Sequence, residues 1–475
     1  MSDNPLFSAS SLAATHPAYK WWVAVSLASG TLTIGLTMSM MNIALPRIMD
    51  SFHVNIDTVL WIITGPLIVN TILIPTVGWL GSFLGNRDVY ILSIAIWIGT
   101  SLLCGFAWNI DSLIFFRLLQ GIGGSFYMPI VVTLLYQTFP ISERGFSMGL
   151  HSLNMVLGPA IGTLLGGYLI ESLGWRSLFF LNIPFGLVSI LMIQRVMSHR
   201  VEEERVALDY PGLAMMALCL VSFLLALSWG EKTGWYSPLI LSLSTLAIFS
   251  LFLFIVIELK SQEPIIPLSM FLYPSFRHTC LVTFLHGAAL MGTNSVIVIF
   301  LQKVLGLGPA QVGLLLLPAT LLRGVGGLWA GRISDKIDPR GPIIFGLLTF
   351  SLVISRFTQI DEVTALVFVG GMLALHSFTG ACVGSPLTAA ALRSLPEKDV
   401  RIGSGLLNLM TIIGGTAGIA ASGAILVRRE ATYRLLFGTR VIFLAYNDYF
   451  LIVSLLLAAT VIPAVFVKGR RVSED

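Results

Sequence analysis

Few side chains of this sequence can carry a charge or a proton through an apolar medium, and those few are basic. Arg117 stands about four residues into one long apolar run, Arg323 lies near the middle of another, and His286 and His376 near the middle of two more. None of the 24 Asp and Glu residues falls mid-run; those nearest a run are Asp57, Asp111, Glu171, Asp209, Glu231, Asp361 and Asp448, all at run ends. A group that binds a proton on one side of a barrier and releases it on the other is ordinarily a buried carboxylate. Imidazole, titrating at about pH 6.5 in water, can take that part, which makes His286 and His376 the candidate carriers; His151 sits nearer a run end. A lone histidine in an apolar run also serves as hydrogen-bonded packing. Arg323, with no acid in the runs to pair with, must use backbone carbonyls, a helix end or water, or else face a cavity.

The setting is a membrane. Of 475 residues 56% are hydrophobic and only 11% charged, with mean hydropathy +0.88, against about a quarter charged in soluble domains. A crossing helix needs about 20 mostly apolar residues, and fourteen such runs are predicted, among them 22–45, 57–80, 146–170, 237–257, 342–358, 363–391, 402–426 and 447–467. An even count puts both termini on one side, and the crowding of Arg87, Arg144, Arg195, Lys336, Arg340, Lys398 and Lys468 into loops of that side makes it the cytoplasm. The exception is Arg428, Arg429, Arg434 and Arg440, which then lie outside. The first twenty residues lack the pattern of a cleavable signal peptide, so the first run is the expected insertion signal. Cys104, Cys219, Cys280 and Cys382 lie singly inside apolar runs and read as core filler, not as a metal or disulfide framework. A net charge of +4 without a basic patch gives no expectation of nucleic acid as a partner.

The stretch GPAIGTLLGGYLIESLGWRSLFFLNIPFG puts Gly158, Gly162 and Gly166 on one helical face, with Gly167 alongside and Pro159 within the run. A second backbone can approach closely there. GPAIGTLLGG at Gly158 has a counterpart, GGTAGIAASG, at Gly414, an offset of 256, and GWLGSFLGNR at Gly78 aligns with GRISDKIDPR at Gly331, an offset of 253. Two matches at nearly one offset argue for a duplicated six-helix unit. The predicted organisation is all-α: a tail at 1–20, a six-helix bundle at 21–197, a linker with two extra helices at 198–275, a second six-helix bundle at 276–467 and a tail at 468–475. Parallel repeats of this kind place a substrate site near the bilayer midplane between the halves.

NIALPRI at Asn42, the paired loop motifs, RLLQGIGG at Arg117, GPAIGTLLGG followed by WRSLFFLNIPFG, and DYPGLAMMAL followed by WGEKTGW together resemble the fourteen-span drug/proton antiporters of the major facilitator superfamily, the EmrB/QacA type. The resemblance spans nearly the whole chain and implies the major facilitator fold, residence in the bacterial inner membrane and efflux driven by inward proton movement, with no cofactor beyond the proton gradient and no metal. It makes Arg117 the arginine tied to coupling, where the residues alone also allow a guanidinium snorkelling to the interface. Gly78, Arg87, Gly331, Asp335 and Arg340 become a cytoplasmic latch, with Lys336 beside them, where the composition of GRISDKIDPR also fits an exposed turn. The glycine and proline run becomes the sliding interface between helices.

The departures bear on mechanism. Thr37 occupies the place where the family normally has an acid, Ser82 stands for an aspartate in the first loop motif, and Pro66, beside Gly65, replaces a tyrosine and predicts a local break in the second span. A cavity holding Arg117 and Arg323 and no carboxylate repels lipophilic cations and suits neutral or anionic amphiphiles. Thr37, Met38, Met41, Asn42, Phe126, Tyr127, Asn154 and Asn294 are candidate wall residues, methionine tolerating varied ligands, with ordinary packing as the alternative for each. The expected partners are the bilayer, a small hydrophobic or amphipathic substrate and, where an outer membrane exists, a periplasmic adaptor. Rival readings are an uncoupled carrier of anionic or lipid-like solutes and a non-transporting membrane sensor or assembly partner. No cluster at one membrane face suggests an enzyme.

Overall fold

Inside hydrocarbon each backbone amide must find its partner within its own segment or in a closed barrel, and among the described residues the chain forms helices alone. The computed structural model describes residues 18–54, 56–198, 209–261, 264–307, 309–360, 364–437 and 442–467. In order the helices are α1 (Tyr19–Phe52), α2 (Ile56–Leu73), α3 (Val77–Leu84), α4 (Asn86–Gly105), α5 (Ile110–Thr138), α6 (Arg144–Leu173), α7 (Ser177–Val196) and α8 (Tyr210–Thr233). There follow α9 (Pro238–Lys260), α10 (Pro274–Lys303), α11 (Pro309–Lys336), α12 (Arg340–Arg356), α13 (Leu366–Arg393), α14 (Val400–Phe437) and α15 (Ile442–Val465).

Thirteen candidate spans occur among the described residues, against fourteen expected. Helices α2 and α3 form one of them, and α6 is absent from the set, although its 30 residues reach about 45 Å, longer than a bilayer core is thick. The predicted break at Pro66 is not there: α2 continues through it, and the interruption is a single 3₁₀ turn at Ile74–Thr76, where Pro75 sits. Of the segment between the last two predicted runs, 427–437 is helix: α14 runs 38 residues and carries Arg428 and Arg429. Arg440, the side chain of Arg434, and residues 199–208 of the predicted 198–275 linker lie outside the described residues.

The chain divides into two compact units, one reaching to Ile141 and resuming over Asn154–Asp209, the other comprising Ser142–Leu153 and everything from Tyr210. One of the three boundaries, between Leu153 and Asn154, therefore falls inside α6. In the first unit Met40, Met41, Ile48, Ile62, Trp175 and Phe179 form an apolar core. Its helix ends are fastened by polar groups. Asn109 caps α5 in a reciprocal pair with Ser112. The Trp175 indole donates to Ser51 Oγ at 3.1 Å, and Arg176 stacks 4.3 Å over the Trp175 ring while donating to the Ala107 carbonyl at 2.9 Å. The second unit has a larger aromatic core built on Phe300, Phe350, Phe357, Tyr449 and Phe450.

Candidate functional site

Pro66 lacks the amide hydrogen that would close a helical bond to Ile62, so the Ile62 carbonyl is left without its usual partner. Arg117 fills the gap: its Nε donates to that oxygen at 2.9 Å. Its Nη1 donates to Gln120 Oε1 at 2.6 Å, and the Gln120 amide donates in turn to Ser101 Oγ at 2.6 Å and to the Trp97 carbonyl at 3.2 Å. The guanidinium is 1% exposed and ties α2, α4 and α5 together; it does not snorkel. Gly121, one turn on, faces the backbone of Pro66, with a Cβ there falling 2.7 Å from the Pro66 oxygen. Lysine cannot serve both acceptors from one planar fork. Arg117→Lys is therefore expected to cost about 2 kcal/mol and to lower the melting temperature by several degrees in detergent, a loss that Arg117→Lys measured within the Pro66→Ala background should shrink, since an alanine amide reclaims the Ile62 carbonyl.

In the second unit His286 on α10 and His376 on α13 are 8% and 2% exposed, and both pack on the Phe350 ring of α12, with centroids 6.0 and 5.0 Å away. His286 Nε2 lies 3.0 Å from the Gly380 carbonyl. A carbonyl only accepts, so this nitrogen carries the hydrogen and Nδ1 is the basic position of the neutral ring. His376 Nε2 is buried with no partner among the described residues. Arg323, half-buried on α11, makes no hydrogen bond or ion pair among the described residues. His151 belongs to the same unit, and its Nδ1 is also buried without a partner. His151, His286, Arg323 and His376 thus share one unit.

Asp335 is not on a turn: the helix α11 continues through it, and its side chain is 6% exposed. Its two oxygens accept from the amides of Gly145 and Phe146 at 2.6 and 2.7 Å, and Oδ1 also accepts from Arg393 Nη2 at 2.5 Å. A carboxylate at a helix N-terminus meets unpaired amides and the positive end of the helix dipole. From there inward along both helices the backbones touch. A Cβ on Gly331 would collide with the Gly145 carbonyl, and one on Gly149 would sit 2.7 Å from Gly327 O. Glycines four apart on both helices, Gly145 with Gly149 and Gly327 with Gly331, are the small-residue crossing that brings the amides to the carboxylate. Arg340, expected in this latch, is elsewhere: it pairs with Asp338 at 3.6 Å. In the first copy of the motif Gly78 is buried, Arg87 pairs with Asp88 at 3.3 Å and donates to the Gln194 carbonyl, and Ser82 bonds only locally, to the Trp79 carbonyl.

The glycine run meets α1 within the first unit. A Cβ on Gly158 would lie 2.9 Å from Gly35 Cα, one on Gly35 would lie 2.9 Å from Pro159 Cδ, and one on Gly162 would strike Ser39. Gly166 is buried, and the surroundings of Gly167 lie outside the described residues. The second copy does the same work, with Gly414 against Phe284 and Gly418 against Ala288 on α10. Of the wall candidates, Thr37 is 3% exposed and donates to the Thr33 carbonyl, Met41 is 1% exposed, and Phe126 is buried. Tyr127 is wholly buried, its hydroxyl bonding Thr31 and the Leu27 carbonyl, beside a second knot of Tyr90, Ser189 and Ser26. Met38, Asn154 and Asn294 are half-buried, and the Asn42 side chain lies outside the described residues. Three participants escaped the sequence reading. Arg393 and the Gly145–Gly149 pair complete the Asp335 site, and Glu258, one residue past a predicted span end, is a 4% exposed carboxylate inside α9.

The family model of the Major Facilitator Superfamily matches residues 27–212 and 279–473, and the unmatched residues between hold nearly all of α8 and α9. The multidrug export protein EmrB of Escherichia coli is 27% identical over 421 residues, which cover 86% of this chain and 80% of that one. The fatty acid resistance protein FarB of Neisseria gonorrhoeae is 28% identical over 425 residues, 88% and 83% of the two chains. Among solved structures, the Escherichia coli fucose:proton symporter FucP matches with TM-score 0.63 at 15% identity, over 94% of this chain and 98% of that one.

Proposed function

The chain belongs to the Major Facilitator Superfamily and is an efflux transporter of the EmrB type, and from that premise we propose that it exports hydrophobic or amphipathic molecules by alternating access, in exchange for protons carried by His286 and His376. The observation that carries the reading is the pair of buried imidazoles packed on one Phe350 ring. A proton arriving at His286 has Nδ1 to bind to, since Nε2 is committed to Gly380; a proton arriving at His376 has the partnerless Nε2. Ionisable groups this deep in a membrane protein are costly, and transport is what usually retains them.

The same charges bear on what is carried. Arg323 has no carboxylate beside it among the described residues, so a cation in its neighbourhood is repelled and a neutral or anionic amphiphile is not. FarB, by its name a fatty acid resistance protein, is consistent with the second class. The protein sits in the bacterial inner membrane with both termini in the cytoplasm, the arrangement the basic loops favour.

The test uses purified protein in liposomes holding a pH-sensitive dye, with an imposed proton gradient and a panel of cationic, neutral and anionic amphiphiles. A neutral or anionic member of the panel is expected to trigger proton flux, and His286→Ala or His376→Ala to reduce that flux at least tenfold. Substrate movement unaccompanied by proton flux, or flux unchanged in both variants, sinks the histidine assignment; no movement of any compound by folded protein sinks transport of this substrate class.

A further inference from the structure

Arg428 and Arg429 are the basic residues that least fit the charge rule for loops, and the structure gives them a place. Ile425, Arg428, Arg429 and Thr432 recur at intervals of three and four along α14, so they share one face. With Ile452 of α15 they line a cavity of about 440 Å³, a volume within the range of small-molecule sites. At 1.5 Å per residue Arg428 stands about 42 Å along the helix from Val400. A hydrocarbon core is about 30 Å thick, so a helix that enters near Val400 delivers both guanidinium groups to the level of the lipid headgroups.

The cavity is charged in a definite way. Arg429 is held at 3.3 Å by Asp448, four residues before Ile452 on α15, and Asp448 also accepts from the Tyr433 hydroxyl at 2.7 Å. That pair is neutral in sum and fixes the orientation of the Arg429 fork. Arg428 is exposed and makes no side-chain hydrogen bond or ion pair among the described residues. Thr432 spends its hydroxyl hydrogen on the Arg428 carbonyl at 2.9 Å. What remains is one unneutralised guanidinium and one oriented guanidinium, with two isoleucines lining the same cavity. Forked donors match the paired oxygens of phosphate and carboxylate, while Ile425 and Ile452 offer apolar surface to whatever the anion is attached to.

We propose that this α14–α15 cavity binds the anionic headgroup of an amphiphile, a phosphate or carboxylate on an apolar chain. The inference rests on the membrane setting and not on the proton reading, so either can fail without the other. Its occupant is a resident lipid or a passing anionic solute, which share this chemistry.

Equilibrium dialysis of the full chain in a non-ionic detergent, with dodecyl phosphate as the probe, tests it. Saturable binding is expected, at least tenfold tighter than that of inorganic phosphate or of dodecyltrimethylammonium. Arg428→Gln should weaken it tenfold or more and Arg428→Lys much less. Ile452→Trp, which keeps every charge and fills the space, should also weaken it. Because Arg428 is exposed, its variants are expected to fold, and size-exclusion profiles check this. Mass spectrometry of protein drawn from membranes containing phosphatidylglycerol separates the sources. Phosphatidylglycerol retained by the parent and lost from Arg428→Gln assigns a lipid; dodecyl phosphate binding with no retained lipid assigns a solute. Equal binding by parent, Arg428→Gln and Ile452→Trp, or equal affinity for the cationic probe, overturns the site.

Discussion

Asp335→Asn is expected to lower substrate export at least tenfold while leaving a folded protein. The carboxylate accepts two α6 amides and the Arg393 guanidinium within 2.7 Å in a setting where Arg393 is 12% exposed and Asp335 only 6%. An asparagine has one acceptor oxygen in place of two, so its amide nitrogen confronts at least one of these donors, and the Arg393 Nη2 bond loses its charged acceptor. Removing one partner from such a pair costs about 3 kcal/mol or more. Alternating access needs at least two states, and a contact made in one of them sets their balance. Losing even about 2 kcal/mol from one state alone moves the equilibrium about thirtyfold. The check is a double-mutant cycle in the liposome assay: Asp335→Asn, Arg393→Gln and the pair. Arg393→Gln alone should also impair export, and the double variant should recover part of the loss, because two neutral amides can pair with each other. Strictly additive effects would mean that the two side chains do not act through each other.

What the sequence made legible here, and what it did not, follows from which partner is a side chain. Asp335 stood out because a carboxylate between glycine and basic residues is a recognisable pattern. Its partner Arg393 did not, because 58 residues separate them and a basic residue at a span end is ordinary. The amides of Gly145 and Phe146 carry no residue identity at all. Only the matched four-residue spacings, Gly145 with Gly149 and Gly327 with Gly331, held information about that crossing, and their meaning needs both helices at once. Arg117 shows the same divide. Its rarity in an apolar run marked it, but its partner is a backbone oxygen exposed by Pro66, and the proline read from sequence as a break proves to be a vacancy in an unbroken helix. Tyr127 is a converse case: an aromatic hydroxyl in a glycine-rich span reads equally as cavity wall or internal knot, and its bonds to Thr31 and the Leu27 carbonyl could not be read from sequence. The helical rods themselves needed nothing but length and hydropathy, since a membrane leaves the backbone no alternative.

Gly158→Val is expected to abolish export and to reduce the folded yield severely, with Gly158→Ala already strongly impaired. A single Cβ at 158 would lie 2.9 Å from Gly35 Cα, inside the contact distance of two carbons, and the atom it meets is backbone, not a rotatable side-chain end. No substitution at the partner can relieve the clash, because residue 35 is already glycine. The helices must separate instead, which also disturbs Gly162 against Ser39 one turn away. The contrast is Gly99, within α4, where an added Cβ meets nothing within 4 Å. Gly99→Ala should be neutral or mildly stabilising, since alanine is the better helix former. Fluorescence-detected size exclusion after heating, together with export, separates packing from motion: if Gly158→Ala retains the parental melting temperature and loses export, the close approach of α1 and α6 is needed for movement between states. If it loses both in proportion, the glycines serve stability alone. Export and stability both matching the Gly99→Ala control would mean that the two backbones do not approach this closely in the membrane.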